Sequence, residues 1–188
     1  MNKTIYLLPL ITICALAYLQ IKTIIDARTV TLTTDPIPFF EITEMPTSTQ
    51  DGIVISSKNI TNYLQGDLMM VNFFATWCTT CLIEHDQIVE LAKTHKLNII
   101  GIAYKDEPTD ITAYLDDRGD PYTRIALDDK GYAAAGWRIN GTPESFFIDA
   151  NGMVRYHFRG PIRKTDLPRI LQVIKTIRKD TDLNEGQT

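Results

Sequence analysis

The chain has 188 residues, of which 44% are hydrophobic and 22% charged, and its formal net charge is −4. This composition suits one globular domain with a modest appendage. The 19 Lys and Arg residues are outnumbered by 23 Asp and Glu residues and form no basic stripe, which argues against a nucleic-acid partner.

Residues 4–21 form an uncharged apolar run that follows the short start Met-Asn-Lys. Two interpretations fit such a run: a cleaved signal peptide with Ala-Leu-Ala at 15–17 as its cleavage site, or an uncleaved signal anchor. Because the run continues beyond that site and is longer than the apolar core of most signal peptides, we favour a transmembrane anchor over residues 1–25. Cys14 lies inside the run and is interpreted as a small apolar residue of this helix.

The remaining chain divides into three segments. Residues 26–52 are rich in Thr, Pro and Ser and predict a tether with an extended, partly paired lead-in. Residues 53–180 carry the periodic patterns of a folded domain, and the polar residues 181–188 are expected to form a loose tail.

Strand and helix patterns alternate through the predicted domain. Apolar runs at 68–75 and 97–104 predict buried strands, and the turn signal Asn151-Gly152 predicts a hairpin over 144–158. Further elements are expected as helices at 79–95, 109–117 and 164–178 and a short strand at 123–127. This order predicts an α/β sandwich around a mixed sheet.

Two cysteines, Cys78 and Cys81, stand where the first predicted strand gives way to a helix, in FFATWCTTCL. The free N–H groups and the dipole of a helix N-terminus favour negative charge, so Cys78 is expected to be more acidic than a free thiol. The two-residue spacer allows Cys81 to close a disulfide with it. The preceding Trp77 can shield one side of the thiol. We therefore favour a redox pair over two small buried residues.

A zinc site would need two further Cys or His ligands. The histidines at 85, 95 and 157 do not have the spacing of a second half-site, and Cys14 belongs to the apolar run. No metal site is predicted.

The segments VNFFATWCTTC and Gly141-Thr142-Pro143 resemble those of thioredoxin-fold proteins. The resemblance implies a thioredoxin fold, with a mixed central sheet flanked by helices, here preceded by an N-terminal transmembrane helix. In such proteins the matching proline is cis and lies beside the cysteines, and a substrate strand pairs with the backbone before it. Pro143, Thr142 and Trp77 are therefore the expected substrate-binding residues.

The segments CLIEH, GIAYKDEP, GDPY and GTPESFFIDANGMVRYHFRG resemble the DsbE/CcmG family over roughly residues 36–175. These are membrane-anchored thiol:disulfide proteins of cytochrome c biogenesis. The resemblance implies a single-pass protein of the bacterial inner membrane with a periplasmic domain. Its expected substrate is a disulfide of apocytochrome c, at the haem-attachment cysteines, or of a cytochrome c maturation thiol protein. A membrane electron donor of the DsbD/CcdA type would reduce it, and no cofactor beyond the Cys78–Cys81 disulfide is implied.

By the same resemblance Cys78 is the attacking thiol and Cys81 the resolving thiol, with Glu84 and Glu144 as acidic residues of the site. Glu84 also stands one helical turn after Cys81, where a carboxylate can take the proton of the resolving thiol. Thioredoxins carry a buried Asp on the strand before the cysteines. Here that position holds Asn72, which cannot exchange protons, so the role shifts to Glu84 or Glu144.

Three alternatives stay open at this point. The first is a general periplasmic disulfide oxidoreductase. The second is a thioredoxin-like copper-delivery protein, although that type uses C-x-x-x-C and a distant His. The third is a module that docks apocytochrome c without turnover. The spacer Thr79-Thr80 lacks the proline common in the DsbE/CcmG family, which leaves the potential open, and His85, Tyr104 and Lys105 are assigned to packing or partner contacts.

Overall fold

The computed structural model describes Leu16 and residues 32–38, 40–45, 54–56, 60–63 and 68–185. The predicted anchor, apart from Leu16, and much of the predicted tether lie outside the described residues. No helix among the described residues is long and apolar enough to cross a membrane. The chain divides into residues 1–31 and residues 32–188, and the sheet lies within the second unit.

The described residues form eight strands of one sheet, in the order β1-β8-β7-β4-β5-β6-β2-β3. Their bounds are β1 Asp35–Pro36, β2 Glu41–Glu44, β3 Val54–Ser56, β4 Leu68–Phe74, β5 Asn98–Tyr104, β6 Arg124–Asp128, β7 Glu144–Asp149 and β8 Met153–Arg159. Strands β4, β5 and β6 run parallel, while β7, β8, β1, β2 and β3 each pair antiparallel. The sheet is therefore mixed, as predicted.

Strand β4 lies at the centre of the sheet, between β5 and β7. All seven of its residues are buried, because both edges are paired and both faces are covered. A strand with no exposed face reads as a continuous apolar run, which is why its position was predictable. Its carboxyl end leads directly into the two cysteines.

Within the described part of residues 32–188 there are four α-helices, α1 (Thr79–Lys93), α2 (Pro108–Arg118), α3 (Tyr132–Gly136) and α4 (Leu167–Glu185), and a short 3-10 helix at Ile60–Tyr63. The face of β4 that carries Asn72 and Phe74 is covered by α1 and α2. Helix α4 lies on this same face, where Arg169 packs over Tyr156. The opposite face, which carries Phe73, packs against α3 and the residues around it in one apolar cluster.

The predicted strands and helices from 68 to 159 are confirmed, while the sheet begins earlier than the predicted domain boundary at 53. Strands β1 and β2 lie within the predicted lead-in and pair with β8 and β6. The five-residue α3 was not predicted because it is too short for a periodic signal. It forms because the Asp128 carboxylate accepts hydrogen bonds from Ala133 N (3.1 Å) and Ala134 N (2.8 Å).

Helix α4 begins and ends later than predicted. The Asp166 carbonyl accepts a hydrogen bond from Ile170 N at 3.0 Å, which starts the helix at Leu167, and Pro168 fits the first turn because its missing N–H is not needed there. At the other end Thr181 is buried and Asp180 contacts Arg155 at 2.8 Å. These tertiary contacts extend the helix to Glu185, into the tail expected to be loose.

The β7–β8 hairpin turns through Asn151-Gly152, as predicted, and its ends are held by one carboxylate. Asp149 Oδ1 accepts hydrogen bonds from Asn151 N (2.9 Å) and Met153 N (3.0 Å), and Oδ2 pairs with Arg155 Nη1 at 3.0 Å. Arg155 reaches Asp180 with its other terminal nitrogen, and the Asp149 side chain is 4% exposed whereas that of Asp180 is 40% exposed.

We expect Asp149→Ala to lower the free energy of unfolding by about 3 kcal/mol, because it removes three contacts and leaves a buried guanidinium half-paired. The matched variant Asp180→Ala, at the exposed end of the same arginine, should cost no more than about 1 kcal/mol. Urea denaturation of both variants measures this difference. Equal losses of unfolding free energy in the two variants would contradict the expectation that the buried Arg155–Asp149 pair contributes more than the exposed Arg155–Asp180 pair.

Candidate redox site

Cys78 occupies the N-cap of α1, with extended backbone angles, and its sulfur forms a disulfide with Cys81. The Cys81 backbone N–H donates to the Cys78 sulfur at 3.2 Å. Both side chains are largely buried, Cys78 at 6% and Cys81 at 2% exposure. The Cys81 N–H also donates to the Cys78 carbonyl oxygen at 3.0 Å, so the helix start shares this donor between that oxygen and the sulfur. Its contact with the sulfur favours the thiolate of Cys78 once the pair is reduced.

The loop before β7 lies against the same sulfur. The Thr142–Pro143 peptide bond is cis, as the resemblance implied, and Pro143 is buried. The carbonyl oxygen of Thr142 is 3.4 Å from Cys78 Sγ, and the Thr80 hydroxyl is 3.3 Å from the same sulfur. The structure thus brings Thr142 and Pro143 to the cysteines, where sequence reasoning expected them.

Trp77 directly precedes Cys78 and is anchored by the segment after β5. Its indole N–H donates to the Lys105 carbonyl oxygen at 3.1 Å, while 59% of the residue remains exposed. Asp106 accepts hydrogen bonds from the Thr76 N–H (2.6 Å) and from the Thr76 hydroxyl (2.8 Å). Lys105 and Asp106 therefore hold the turn that carries Trp77.

Large apolar side chains surround the pair at the surface. Trp77 precedes Cys78, and Leu82 and Ile83 follow Cys81 on α1 with 36% and 50% exposure. Exposed apolar residues grouped around a reactive pair are typical of a surface that contacts another protein.

Glu84 lies on α1, one turn after Cys81, and is 2% exposed. Its Oε1 accepts a hydrogen bond from Asn72 Nδ2 at 2.9 Å, and its Oε2 accepts one from the Ile162 backbone N–H at 3.0 Å. Burial raises the pKa of Glu84 from 4.5 to about 7, although both hydrogen bonds act in the opposite direction. A buried carboxyl that changes protonation near neutral pH is suited to proton transfer.

Glu144 faces the other side of the sheet. It is the cross-strand partner of Phe73, whose side chain points away from α1, whereas the neighbouring Asn72 points towards it. The Glu144 carboxylate accepts from Asn140 N at 2.8 Å and contacts His157 Nε2 at 2.5 Å. Glu144 is thus bonded to the loop that leads to Thr142.

His157 was not assigned to the site from the sequence. Its ring stacks on Phe146 with centroids 4.0 Å apart, and its Nε2 meets the Glu144 carboxylate. Burial lowers the pKa of His157, with the hydrogen bond to Glu144 acting against that shift. Burial therefore favours the neutral imidazole, which can donate to the Glu144 carboxylate in the tautomer that carries its proton on Nε2.

His85 is buried and lies away from the loop of Pro143. Its Nε2 is 2.9 Å from the Gly119 carbonyl oxygen, and its ring packs edge-on against Tyr114. It joins α1 to the end of α2, which supports its interpretation as a packing residue. Among the described residues, no group of three or more His, Cys, Asp or Glu side chains is arranged to hold a metal ion.

Sequence reasoning missed Asp106, Tyr122 and His157. Tyr122 follows α2, and its hydroxyl donates to Asn72 Oδ1 at 2.9 Å. All three residues lie in the quoted segments YKDEP, GDPY and RYHF, so the signal was present. Their bonding partners, however, lie up to 50 positions away in the chain and could not be assigned from those segments.

The chain matches the Redoxin family over residues 33–174. It is 42% identical over 98 residues to the thiol:disulfide interchange protein CycY of Rhizobium leguminosarum bv. viciae. The aligned region covers 52% of this chain and 53% of CycY. The chain is 34% identical over 131 residues to the thiol:disulfide interchange protein DsbE of Haemophilus influenzae, which covers 69% of this chain and 67% of DsbE. The chain thus spans about half the length of the first relative and two thirds of the second.

A solved structure agrees with these relatives. The crystal structure of a thiol:disulfide interchange protein of the thioredoxin family from Chlorobium tepidum TLS matches with a TM-score of 0.53 and 30% identity, over 79% of this chain and 97% of that one. The predicted thioredoxin-like α/β fold is confirmed. With a C-x-x-C pair at the start of α1, a cis-proline loop beside it and these relatives, the chain belongs to the Redoxin family and, within it, to the DsbE-type thiol:disulfide interchange proteins.

Proposed function

We propose that this protein is a thiol:disulfide oxidoreductase that reduces disulfides during cytochrome c maturation. The observation that carries the proposal is the placement of Cys78 and Cys81: a pair at a helix start, beside the Thr142–Pro143 loop, with a buried carboxyl one turn below. The names of the relatives support thiol:disulfide exchange. The substrate is taken to be apocytochrome c, at its haem-attachment cysteines, or a maturation thiol protein.

In the first step the Cys78 thiolate attacks one sulfur of the substrate disulfide. A Cys78–substrate disulfide forms, the substrate S–S bond breaks, and the leaving sulfur takes a proton from solvent. The Cys81 N–H and the helix start stabilise the attacking thiolate. An extended substrate segment can pair with the Thr142 backbone, which holds its sulfur next to Cys78.

In the second step Cys81 loses its proton and attacks the Cys78 sulfur. The Cys78–Cys81 disulfide forms, the mixed disulfide breaks, and the second substrate thiol is released. The substrate has then gained two electrons and the protein has lost two. A dithiol donor must return them, and we assign this to a membrane electron donor of the DsbD/CcdA type.

We assign different roles to Glu84 and Glu144 in this scheme. Glu84 lies on the helix of Cys81 and changes protonation near neutral pH, so we assign it as the acceptor of the Cys81 proton. Glu144 bonds to Asn140 N and His157 and thereby supports the loop of Thr142 and Pro143. We therefore assign Glu144 to the positioning of the substrate-binding loop.

We further propose that residues 1–25 anchor the protein in the bacterial inner membrane and that the thioredoxin-like domain works in the periplasm. The support for the anchor is the uncharged apolar run at 4–21. Resistance of the full chain to extraction from membranes by alkaline carbonate tests the anchor. Release of the full chain into the soluble fraction would contradict it.

The direction of electron flow is testable by redox titration of the domain against dithiothreitol and glutathione buffers, with tryptophan fluorescence as the readout. A reductase should show a potential near or below about −270 mV, whereas a potential near −120 mV would mark an oxidant. A result in the second range would overturn the proposed direction. A titration without any thiol–disulfide transition would overturn the enzyme assignment.

The roles of the cysteines are separable with an oxidised peptide that carries a C-x-x-C-H sequence. Reduced Cys81→Ser should form a mixed disulfide through Cys78 and retain it, because the resolving thiol is missing. Reduced Cys78→Ser should form much less of it, since Cys81 is the more buried of the two, at 2% against 6% exposure, and the N–H of the helix start is directed at Cys78. Mass spectrometry under non-reducing conditions measures both, and multiple-turnover reduction should fall to background in both variants. Equal trapping by the two variants would contradict the assigned order.

Glu84→Gln should alter how stability depends on pH. The Glu84 pKa is about 7 in the folded protein and 4.5 as the ordinary value, so the unfolded chain ionises first and stability is lost as pH rises from about 4.5 to 7. Relative to wild type, Glu84→Gln should therefore gain on the order of 3 kcal/mol between pH 4 and pH 8.

Urea denaturation at a series of pH values measures this gain. Glu90→Gln, which changes an exposed carboxyl of the same helix, is the matched control and should follow the wild-type curve. Parallel pH curves for wild type and Glu84→Gln would show that burial does not raise the Glu84 pKa.

A further inference from the structure

The orientation of the Asn72 amide is set by three hydrogen bonds. Its Nδ2 donates to Glu84 Oε1 at 2.9 Å and to Ser145 Oγ at 3.1 Å. Its Oδ1 accepts the hydroxyl hydrogen of Tyr122 at 2.9 Å. The amide is completely buried, and each polar atom has a partner of the correct sign. Tyr122 therefore determines which end of the amide faces Glu84.

Tyr122 reaches Asn72 because the sheet has a gap beside it. Gly101 is the direct neighbour of Asn72 across the β4–β5 pair. A Cβ at position 101 would lie 2.9 Å from a ring carbon of Tyr122 and 2.9 Å from a ring carbon of Phe74. The Tyr122 ring stacks on Phe74 with centroids 4.7 Å apart and an interplanar angle of 20°. The glycine thus leaves the space through which the tyrosine ring crosses β5.

We propose that Tyr122 is a positioning residue of the redox site, which acts through Asn72 to hold an N–H donor on the Glu84 carboxylate and so sets the pH range in which Cys81 resolves a mixed disulfide. The proposal rests on the proposed function, since it assumes that Glu84 takes the Cys81 proton. It assigns a chemical role to a tyrosine that touches neither sulfur. In this arrangement Gly101 leaves room for the Tyr122 ring, and the Tyr122 hydroxyl donates to Asn72 Oδ1.

The physical reason is the polarity of the amide. An N–H directed at Glu84 stabilises the ionised carboxylate, whereas the amide oxygen in the same place would favour the protonated acid. Without the Tyr122 hydroxyl, the buried Oδ1 of Asn72 loses its donor, and rotation of the amide by half a turn lets protonated Glu84 supply one. Loss of the hydroxyl should therefore make Glu84 harder to ionise.

Several other groups face Glu84 and stay unchanged in this comparison. The Ile162 N–H donates to its second oxygen, and Cys81 precedes it by one turn of α1. Tyr114 on α2 and Tyr122 both sense the Glu84 charge, and Asp86 on α1 acts on Tyr114 as well. Ser145 is connected to the carboxylate through Asn72, and His85, the next residue on α1, contacts the Gly119 carbonyl oxygen and the Tyr114 ring instead.

The test is the titration of Glu84 by carbon-13 NMR in protein labelled at glutamate carboxyls. Tyr122→Phe should move the Glu84 midpoint upward by about one pH unit, a tenfold change in proton affinity. Tyr114→Phe is the matched control: it removes a hydroxyl that also senses the Glu84 charge, but the hydrogen bonds of Asn72 and Glu84 described above do not involve that hydroxyl. Its midpoint should stay at the wild-type value. An unmoved midpoint in Tyr122→Phe, or an equal shift in both variants, would overturn the proposal.

The kinetic counterpart is the resolution of a glutathione mixed disulfide on Cys78, followed over pH 5 to 9. The pH midpoint of the resolution rate should move upward in Tyr122→Phe by the same amount as the NMR midpoint. A shifted NMR midpoint with an unshifted rate profile would overturn the kinetic half of the proposal. Absence of exchange in the wild type would instead contradict the proposed function, and the NMR titration would still test the Tyr122 contact.

Gly101→Ala supplies a second, independent variant. The added methyl group must displace the ring of Tyr122 as well as that of Phe74, because it would otherwise lie 2.9 Å from a carbon of each ring. The Tyr122 hydroxyl then moves out of hydrogen-bonding distance of Asn72 Oδ1, although the tyrosine itself is retained. The Glu84 midpoint should again move upward, and a midpoint equal to wild type in a folded Gly101→Ala protein would contradict the proposal.

Discussion

The hydrogen bond between the Asn72 amide and the Glu84 carboxylate joins the central strand to the helix that follows it. Strand β4 ends and α1 begins on either side of Cys78, so a fixed contact between the two elements also fixes the sulfur pair. Burial of a carboxyl is costly unless its oxygens are satisfied, and here each oxygen accepts one N–H. The contacts of Tyr122 and Ser145 with Asn72 hold that amide in place.

The two faces of the sheet contribute different things to the same pair of cysteines. The face of α1 holds the buried carboxyl that changes protonation, and the opposite face holds the Glu144–His157 contact, which supports the loop before β7. The loop reaches Cys78 through the Thr142 carbonyl. Proton transfer and substrate pairing are thus supported by separate contacts, and a change on one face need not disturb the other.

Much of this arrangement could be predicted because its signals are local. The buried run of β4, the stripe of α1 and the C-x-x-C at their junction are patterns of neighbouring residues, and the same holds for the Asn151-Gly152 turn. The side of the sheet that Glu144 faces could not be predicted, since it depends on the register of β7 against β4. The contact of Tyr122 was missed for a similar reason: it requires a glycine on the strand between donor and acceptor.

The Asn72 contact also bears on how a buried acid can be exchanged between positions in related proteins. The side chains at strand position 72 and helix position 84 lie within hydrogen-bonding distance. An aspartate at 72 would therefore place a carboxyl oxygen about where Asn72 Nδ2 now lies, 2.9 Å from Glu84 Oε1. Two such acids share one proton and titrate as a coupled pair rather than as independent groups. A chain of this fold can therefore carry its buried acid on the strand or on the helix, and the transfer from one to the other requires both substitutions together.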